Sequence, residues 1–275
     1  MRESFAFSFA DDLDLMLIAK SGQCFRMTQH ADGAFRVLAG EDVLRIRKTG
    51  ENRFSVDCAQ AQWEKRWKSY FDMGENYARI RERIDPKTDP DLFAACEAQK
   101  GIRILHQDVW ETLVSFLISQ NRSIPLIRTS IETLCHRYGT ACEDRYGEVY
   151  HAFPTPAQIT ALSEDALLSC KMGYRSAYIL RTARDVAEGR VDLLQMQALP
   201  DAALLERLKT LYGVGPKVAL CVMLFGFHRL NALPVDTWIR KAMAAYYPKG
   251  YPAERLAPFN GVYQQYLFAY ARDHL

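Results

Sequence analysis

The sequence predicts an α+β protein, in which an antiparallel β-sheet precedes an all-helical part. Over roughly the first sixty residues, apolar side chains alternate with polar ones, which is typical of half-buried strands. Further along, apolar residues recur at three- and four-residue intervals, which is typical of helices. We place the boundary near residue 100, which gives an N-terminal α+β domain over 1–100 and an α-helical domain over 101–275.

Four alternating segments predict the strands of the sheet. Their paired apolar positions are Phe5, Phe7 and Phe9; Phe35 and Val37; Leu44 and Ile46; and Phe54 and Val56. Turn signals separate them at Asp32-Gly33, Gly40 and Gly50-Glu51-Asn52. Short strands divided by turns in this way favour an antiparallel arrangement. One helical stretch, 12–20, interrupts the strands.

The helical pattern continues through most of the remaining chain. It predicts helices over 63–71, 108–118, 124–138, 175–188, 202–211, 217–227 and 236–247, with Pro, Gly, Ser and Asn between them. A last helix, 261–274, is long enough to pack back against either part. No repeat of solenoid length is present.

Composition and charge exclude several classes of protein. The net charge of +2 is compatible with nucleic-acid binding but does not argue for it. The longest apolar run, 218–227, is too short to span a bilayer, and the N-terminus has no signal-peptide pattern. Seven scattered cysteines indicate reduced thiols inside a cell, and the dispersed histidines predict no metal site. We therefore expect an intracellular protein of the cytoplasm or nucleoid.

The most informative segment runs from Leu211 to Ala219 and contains Gly213, Gly215 and Lys217. A helix ends at the Gly-Val-Gly turn, and a new one begins at Pro216, a residue suited to a first helical turn. This pattern predicts a helix-hairpin-helix, whose backbone amides can hold a DNA phosphate. An ordinary tight connection between two helices explains the pattern equally well.

Lys217 stands in the first turn of the second helix, beside an apolar run. Partial burial and the helix dipole both disfavour its ammonium form, and a nucleophilic amine has to be neutral. Spacing alone is also compatible with a lysine that contacts phosphate or solvent. Asp236, just ahead of a later helix, is a good N-cap, and its carboxylate can also stabilise positive charge developing on a sugar.

Gly-Val-Gly-Pro-Lys, an apolar helix and then Pro234-Val235-Asp236 resemble the helix-hairpin-helix DNA glycosylases with a Gly/Pro–Asp loop. The lysine is similar to that of the bifunctional members, and matches along the chain resemble the 8-oxoguanine DNA glycosylase family. The resemblance implies catalytic roles for Lys217 and Asp236, with hairpin contacts from Gly213 and Gly215.

Five residues are implied by the resemblance to form the pocket for the damaged base. Ser21-Gly22-Gln23-Cys24-Phe25-Arg26 resembles the family segment whose glycine carbonyl accepts the N7–H found only on the oxidised base, so this role falls on Gly22. Cys221 is implied to lie on one face of the base, Gln264 to bond its Watson–Crick edge, and Phe268 to stack. Phe225 lies on the same helical face as Cys221, and for both phenylalanines core packing is an alternative.

Other family segments are implied to contact the DNA around the extruded base. Asn121, in Leu117-Ile118-Ser119-Gln120-Asn121, is implied to fill the space that the base leaves, although by itself it is also a plausible helix C-cap. In Met172-Gly173-Tyr174-Arg175, Tyr174 is implied to insert beside the orphaned partner and Arg175 to contact it.

The chain departs from the better-known eukaryotic members near that partner base. Leu126 occupies the position of an arginine that reads the opposing cytosine, Arg122 and Ser123 replace two asparagines, and Trp238 replaces a histidine near the catalytic aspartate. We therefore expect the base opposite the lesion to matter less here.

The resemblance implies a monomeric enzyme that acts on double-stranded DNA containing 8-oxoguanine and needs no cofactor. It implies removal of the base followed by strand nicking through a lysine Schiff base. Two alternatives stay open. One is another glycosylase of the superfamily, for alkylated bases or mismatched adenine, and the other is a non-catalytic helix-hairpin-helix DNA-binding module.

Overall fold

The computed structural model describes residues 4–275 and contains the predicted antiparallel sheet. Its strands are β1 (Phe5–Ser8), β2 (Met27–Gln29), β3 (Phe35–Ala39), β4 (Asp42–Gly50) and β5 (Arg53–Val56), in the spatial order β1-β5-β4-β3-β2. Ile46 pairs with Phe35 on one side and Val56 on the other. All three side chains are buried, so the alternation that predicts the strands also selects the inner face of the sheet.

Short helices cover the inner face of the sheet. They are α1 (Leu15–Lys20), α2 (Gln60–Gln62), a π-helix (Trp63–Trp67) and α3 (Lys68–Tyr70). Helix α1 begins later than the predicted residue 12 because Asp14 is its N-cap, with its carboxylate accepting hydrogen bonds from the amides of Met16 and Leu17 at 2.9 Å.

The remaining chain is mostly helical. The helices are α4 (Tyr77–Glu82), α5 (Pro90–Ala98), α6 (Val109–Ser119), α7 (Ile124–Tyr138), α8 (Pro156–Thr160), α9 (Glu164–Ser169), α10 (Arg175–Ala187), α11 (Leu193–Met196), α12 (Asp201–Lys209), α13 (Pro216–Phe225), α14 (Thr237–Tyr246), α15 (Ala253–Leu256) and α16 (Asn260–His274). A hairpin of β6 (Ala141–Glu143) and β7 (Val149–His151) follows α7. The fold class predicted from the sequence is confirmed.

Two apolar cores hold these elements, one beneath the sheet and one among the helices. Helices α4 and α5 share the helical core, where α16 packs against α5. The hydroxyl of Tyr263, on α16, donates to the carbonyl of Ile80 at 2.7 Å. Arg272, nearer the end of α16, donates to the carbonyl of Lys20 at 2.9 Å. The last helix thus touches segments from both parts of the chain.

All seven cysteines are unpaired thiols. Across residues 4–275, the longest apolar helices fall short of the length and hydropathy that a bilayer crossing requires.

Candidate active site and DNA-contacting surface

A cavity of about 570 Å³ opens where the turn after α1 meets α6, α13, the start of α14 and α16. It is lined by the residues that are predicted to act in catalysis and base recognition, which come from distant parts of the sequence. Its lining includes Lys217, Asp236, Gly22, Cys221, Phe225, Gln264 and Phe268. The volume is within the range of pockets that hold small organic groups such as a nucleobase.

The hairpin that presents Lys217 depends on one glycine of its turn. Gly213 has φ +83°, and a Cβ atom placed on it would lie 2.3 Å from the ring of Tyr178. Gly215 has φ −85°, and a Cβ atom there would meet no atom within 4 Å. Gly213 is therefore required by the fold, whereas Gly215 leaves open space beside the first turn of α13.

Lys217 lies in the first turn of α13, half-buried, with its ammonium nitrogen 5.4 Å from the centre of the Phe116 ring. Phe116 stacks on Phe225 with ring centres 5.4 Å apart, so aromatic surface covers this side of the lysine. Cys221 is one helical turn beyond Lys217 and fully buried. Burial raises the pKa of its thiol to about 11, against the opposing effect of Lys217, so Cys221 is a neutral thiol at physiological pH.

Asp236 is the N-cap of α14, as the sequence predicts, and its Oδ1 accepts the amide of Ile239 at 2.8 Å. That bond holds the carboxylate in place among the residues that line the cavity. A cap held in this way is pre-organised, so it needs no rearrangement to stabilise a developing positive charge.

Gly22 contributes backbone to the cavity wall. It has φ +76°, a conformation that favours glycine, and a Cβ atom there would lie 3.5 Å from the Phe268 ring. Buried Gln23 stabilises the turn, because its side chain bonds the carbonyl of Arg103 and the amide of Leu105, both at 2.9 Å. Among residues 4–275, no N–H or O–H group donates a hydrogen bond to the Gly22 carbonyl.

Helix α16 forms another part of the wall, next to the Gly22 turn. Gln264 is 4 % exposed, and Phe268 lies one turn further along the helix. The sequence reasoning missed Gln265, which is also buried and lines the cavity. It also missed Phe116, since nothing in the sequence relates that residue to Phe225. Adjacency to Gln264 is the only signal that points to Gln265.

Asn121 and Tyr174 lie outside the cavity and touch each other. Asn121 follows α6 with φ +51°, a conformation that asparagine tolerates better than most residues. Its Nδ2 donates to the hydroxyl of Tyr174 at 3.2 Å, and the Tyr174 side chain is half exposed. The two residues that the resemblance implies for the orphaned base are thus brought together.

Arg175 differs from these two because it is buried, with 5 % exposure. Its Nε donates to the carbonyl of Gln120 at 2.9 Å, and its Nη1 donates to the carbonyl of Met172 at 3.3 Å. In this structure the guanidinium joins the two loops that carry Asn121 and Tyr174. Gln120 extends the connection, since its Nε2 donates to the carbonyl of Gly213 at 3.2 Å.

Three of the four residues that depart from the family pattern line the cavity, namely Arg122, Ser123 and Trp238. Arg122 also donates to the Lys171 carbonyl. The fourth, Leu126, is 52 % exposed. Lys241 lies over the Trp238 ring at 4.6 Å.

One group of metal-type donors forms within residues 4–275, away from the cavity. Asp72, His106 and His228 have donor atoms within 4.8 Å of one another. The two imidazoles stack with ring centres 3.4 Å apart, and each contacts a different oxygen of Asp72, at 3.2 and 3.3 Å. The Tyr77 hydroxyl also donates to Asp72, at 2.8 Å. Hydrogen bonds therefore account for this cluster, which ties the end of α3 to the segments that flank α6 and α13.

Comparison with known proteins defines the class to which this fold and site belong. Residues 114–252 match the model of the HhH-GPD superfamily of base excision DNA repair proteins. Residues 7–113 match the N-terminal domain of 8-oxoguanine DNA glycosylase. The chain therefore belongs to the HhH-GPD superfamily, in the branch that carries this N-terminal domain.

The similarity to individual relatives extends along nearly the whole chain. A probable N-glycosylase/DNA lyase of Methanothermobacter thermautotrophicus is 30 % identical over 86 % of this chain and 83 % of its own length. The structure of MBOgg1 with a low-affinity DNA ligand has a TM-score of 0.92 and 33 % identity, covering 98 % of this chain and 96 % of that one. The Clostridium acetobutylicum 8-oxoguanine glycosylase/lyase, bound to DNA with cytosine opposite 8-oxoguanine, has a TM-score of 0.89 and 32 % identity over 99 % of each chain.

Proposed function

We propose that this protein excises 8-oxoguanine from double-stranded DNA and then nicks the strand at the resulting site. It is a DNA glycosylase with lyase activity of the base excision repair class, as its family membership establishes. One observation carries the choice of substrate and mechanism. Lys217, a potential nucleophile, and Gly22, a potential reader of the oxidised base, line the same cavity.

Base release begins with attack of the Lys217 amine on the sugar. The Lys217 nitrogen forms a bond to C1′ as the C1′–N9 bond breaks, and the base leaves with the electron pair and takes up a proton. Asp236, held in place by its bond to Ile239, stabilises the positive charge that develops on the sugar. The aromatic surface of Phe116 and Phe225 limits water around the amine.

Strand nicking follows from the covalent intermediate. After the sugar ring opens, the Lys217 nitrogen and C1′ form a protonated Schiff base, which acidifies the hydrogens on C2′. Removal of one C2′ proton expels the phosphate from C3′, so the strand is cut on the 3′ side of the lesion. Hydrolysis of the imine then returns the free lysine.

Lesion recognition uses the difference between guanine and its oxidised form at N7. The oxidised base carries an N7–H, which the unoccupied carbonyl of Gly22 can accept. Guanine presents a lone pair at N7, so its binding leaves two acceptors facing each other without a proton. Gln264 bonds the Watson–Crick edge, while Cys221 and Phe268 contact the two faces of the base.

The surrounding DNA is held and distorted by the remaining residues. The amides near Gly213 and Gly215, at the start of α13, bind phosphate without reading sequence. Asn121 and Tyr174 replace the stacking that the extruded base loses, which offsets a cost of a few kcal/mol. Arg175 and Trp238 complete this proposed set.

The division into 1–100 and 101–275 remains our proposal for the domains, and we propose a monomer. The unpaired cysteines support a reducing cytoplasm or nucleoid as the place of action.

Borohydride trapping tests this function on a duplex that carries one 8-oxoguanine opposite cytosine. We expect a covalent protein–DNA band that is absent with undamaged duplex. Lys217→Gln should still bind the lesion but lose the band, base release and nicking. Base release by Lys217→Gln would show that water, and not this lysine, attacks the sugar. A wild-type protein that gives neither band nor release would exclude 8-oxoguanine as the substrate.

A further inference from the structure

Gln265 is a buried glutamine in the cavity wall that the proposed mechanism does not use. Its side chain is nearly inaccessible, with 3 % exposure, and its Nε2 donates to Oε1 of Gln264 at 3.0 Å. Its own Oε1 is buried and has no hydrogen-bond partner within residues 4–275. An unpaired buried carbonyl destabilises a fold, so a glutamine in this position calls for a functional explanation.

The hydrogen bond between the two glutamines also fixes which atoms face each other. If both amides were turned over, Gln264 would donate to Gln265, and the buried unpaired group would be the Gln265 amino group with its two N–H donors. One unpaired carbonyl is less costly than an unpaired amino group. The Gln265 amide therefore holds Gln264 with its oxygen toward Gln265.

Such a restraint can distinguish between two oxidised purines that the Gly22 carbonyl cannot tell apart. Both 8-oxoguanine and 8-oxoadenine carry an N7–H, so the Gly22 carbonyl accepts a hydrogen bond equally well from either. The two bases differ at their Watson–Crick edge, where 8-oxoguanine offers the O6 acceptor and the N1–H donor, and 8-oxoadenine offers the N6 amino donor and the N1 acceptor. A glutamine amide complements either edge after a half turn, so a freely turning Gln264 would bind both bases.

We propose that Gln265 is a positioning residue that holds the Gln264 amide in one orientation, so that the cavity accepts oxidised guanine and rejects oxidised adenine. The inference rests on the proposed function of the same cavity. It assigns the choice between purines to a pair of side chains, of which only Gln264 touches the base.

The test compares release of 8-oxoguanine and 8-oxoadenine, each opposite cytosine, in single-turnover reactions with excess protein. Gln265→Met keeps the side-chain length but removes the donor, so Gln264 becomes free to turn. We expect the 8-oxoguanine to 8-oxoadenine rate ratio to fall about tenfold, the effect of one hydrogen bond. Gln265→Glu places an acceptor in the same position and attracts the Gln264 amino group. This variant should lower the ratio further than Gln265→Met does.

Controls separate this role from a general loss of structure. A purely structural defect slows release of both bases by the same factor, and an unchanged ratio in a folded Gln265→Met protein overturns the inference. In a Gln264→Met background, the further change Gln265→Met should leave the ratio unaltered. If the wild type releases neither base, the proposed function itself fails. If it releases 8-oxoguanine and all ratios are equal, only the role of Gln265 fails.

Discussion

The carboxamide of Asn121 donates a hydrogen bond to the hydroxyl of Tyr174 across 3.2 Å. Asn121 follows α6 and Tyr174 precedes α10, and buried Arg175 joins the same two loops through the Gln120 carbonyl. Contacts within the protein therefore hold the two side chains that are proposed to enter the DNA next to each other. This arrangement lowers the conformational entropy lost when the damaged base is extruded.

Replacing Tyr174 separates the contribution of its ring from that of its hydroxyl. Tyr174→Ala removes the ring that is proposed to insert beside the orphaned base. We expect base release to slow by about 10–100-fold, because part of the unstacking cost is no longer offset. Tyr174→Phe loses only the bond to Asn121 and should stay within about threefold of wild type. Single-turnover release from an 8-oxoguanine duplex measures both. Equal rates for wild type and Tyr174→Ala would exclude a role for the ring.

The two glycines of the hairpin should respond differently to alanine. Gly213→Ala forces a Cβ atom against Tyr178 at a positive φ, so we expect a loss of about 2–4 kcal/mol in the free energy of unfolding. Gly215→Ala meets open space and should unfold normally. Urea unfolding measures the stability of both variants, and DNA titration measures binding. Weakened binding by a fully stable Gly215→Ala protein would locate a phosphate contact at this residue, and a stable Gly213→Ala protein would contradict the packing described here.

We expect the free energy of unfolding in acid to depend on Asp72. Burial by itself raises the pKa of its carboxyl, but hydrogen bonds from His106 and His228 outweigh burial and hold the pKa below its usual range. The folded state therefore favours the ionised form. Its stabilising contribution is complete above the ordinary aspartate pKa of about 4 and is lost as the pH falls below that value.

Asp72→Asn tests this contribution. We expect the variant to be about 1–3 kcal/mol less stable at pH 7, with a smaller further loss on acidification than wild type. Urea unfolding at several pH values between about 3 and 7 gives the free energy of unfolding of variant and wild type as a function of pH. Parallel curves for variant and wild type would mean that other carboxyl groups determine the acid sensitivity.

The exposed Leu126 predicts weak selectivity for the base opposite the lesion. We expect release rates within about tenfold of one another for cytosine, thymine, guanine and adenine partners, because a leucine offers no hydrogen bond to a base edge. Leu126→Arg should raise the preference for cytosine by about 10–100-fold through new hydrogen bonds to that base. A strong cytosine preference in the wild type would show that another residue reads the partner.

The sequence was sufficient for the fold class and for most of the long helices, because an apolar stripe at the helical period is visible without tertiary information. The hairpin β6–β7 was missed, since its strands have three residues each. The base-recognition roles of Gly22 and Gln264 came from the resemblance. From local patterns alone, Gly22 is interpreted as part of a turn and Gln264 as part of a core helix. Phe116, Gln265 and the cluster around Asp72 depend on contacts between distant segments, which no local pattern encodes.

The cavity joins segments that are far apart in the sequence, because the Gly22 turn packs against the Phe268 ring on α16. During synthesis, Lys217 and its hairpin leave the ribosome before α16 does. A nascent chain without α16 carries Lys217 and the Gly22 turn, but it lacks Gln264, Phe268 and a helix of the helical core. The proposed base pocket is therefore complete only once α16 has packed.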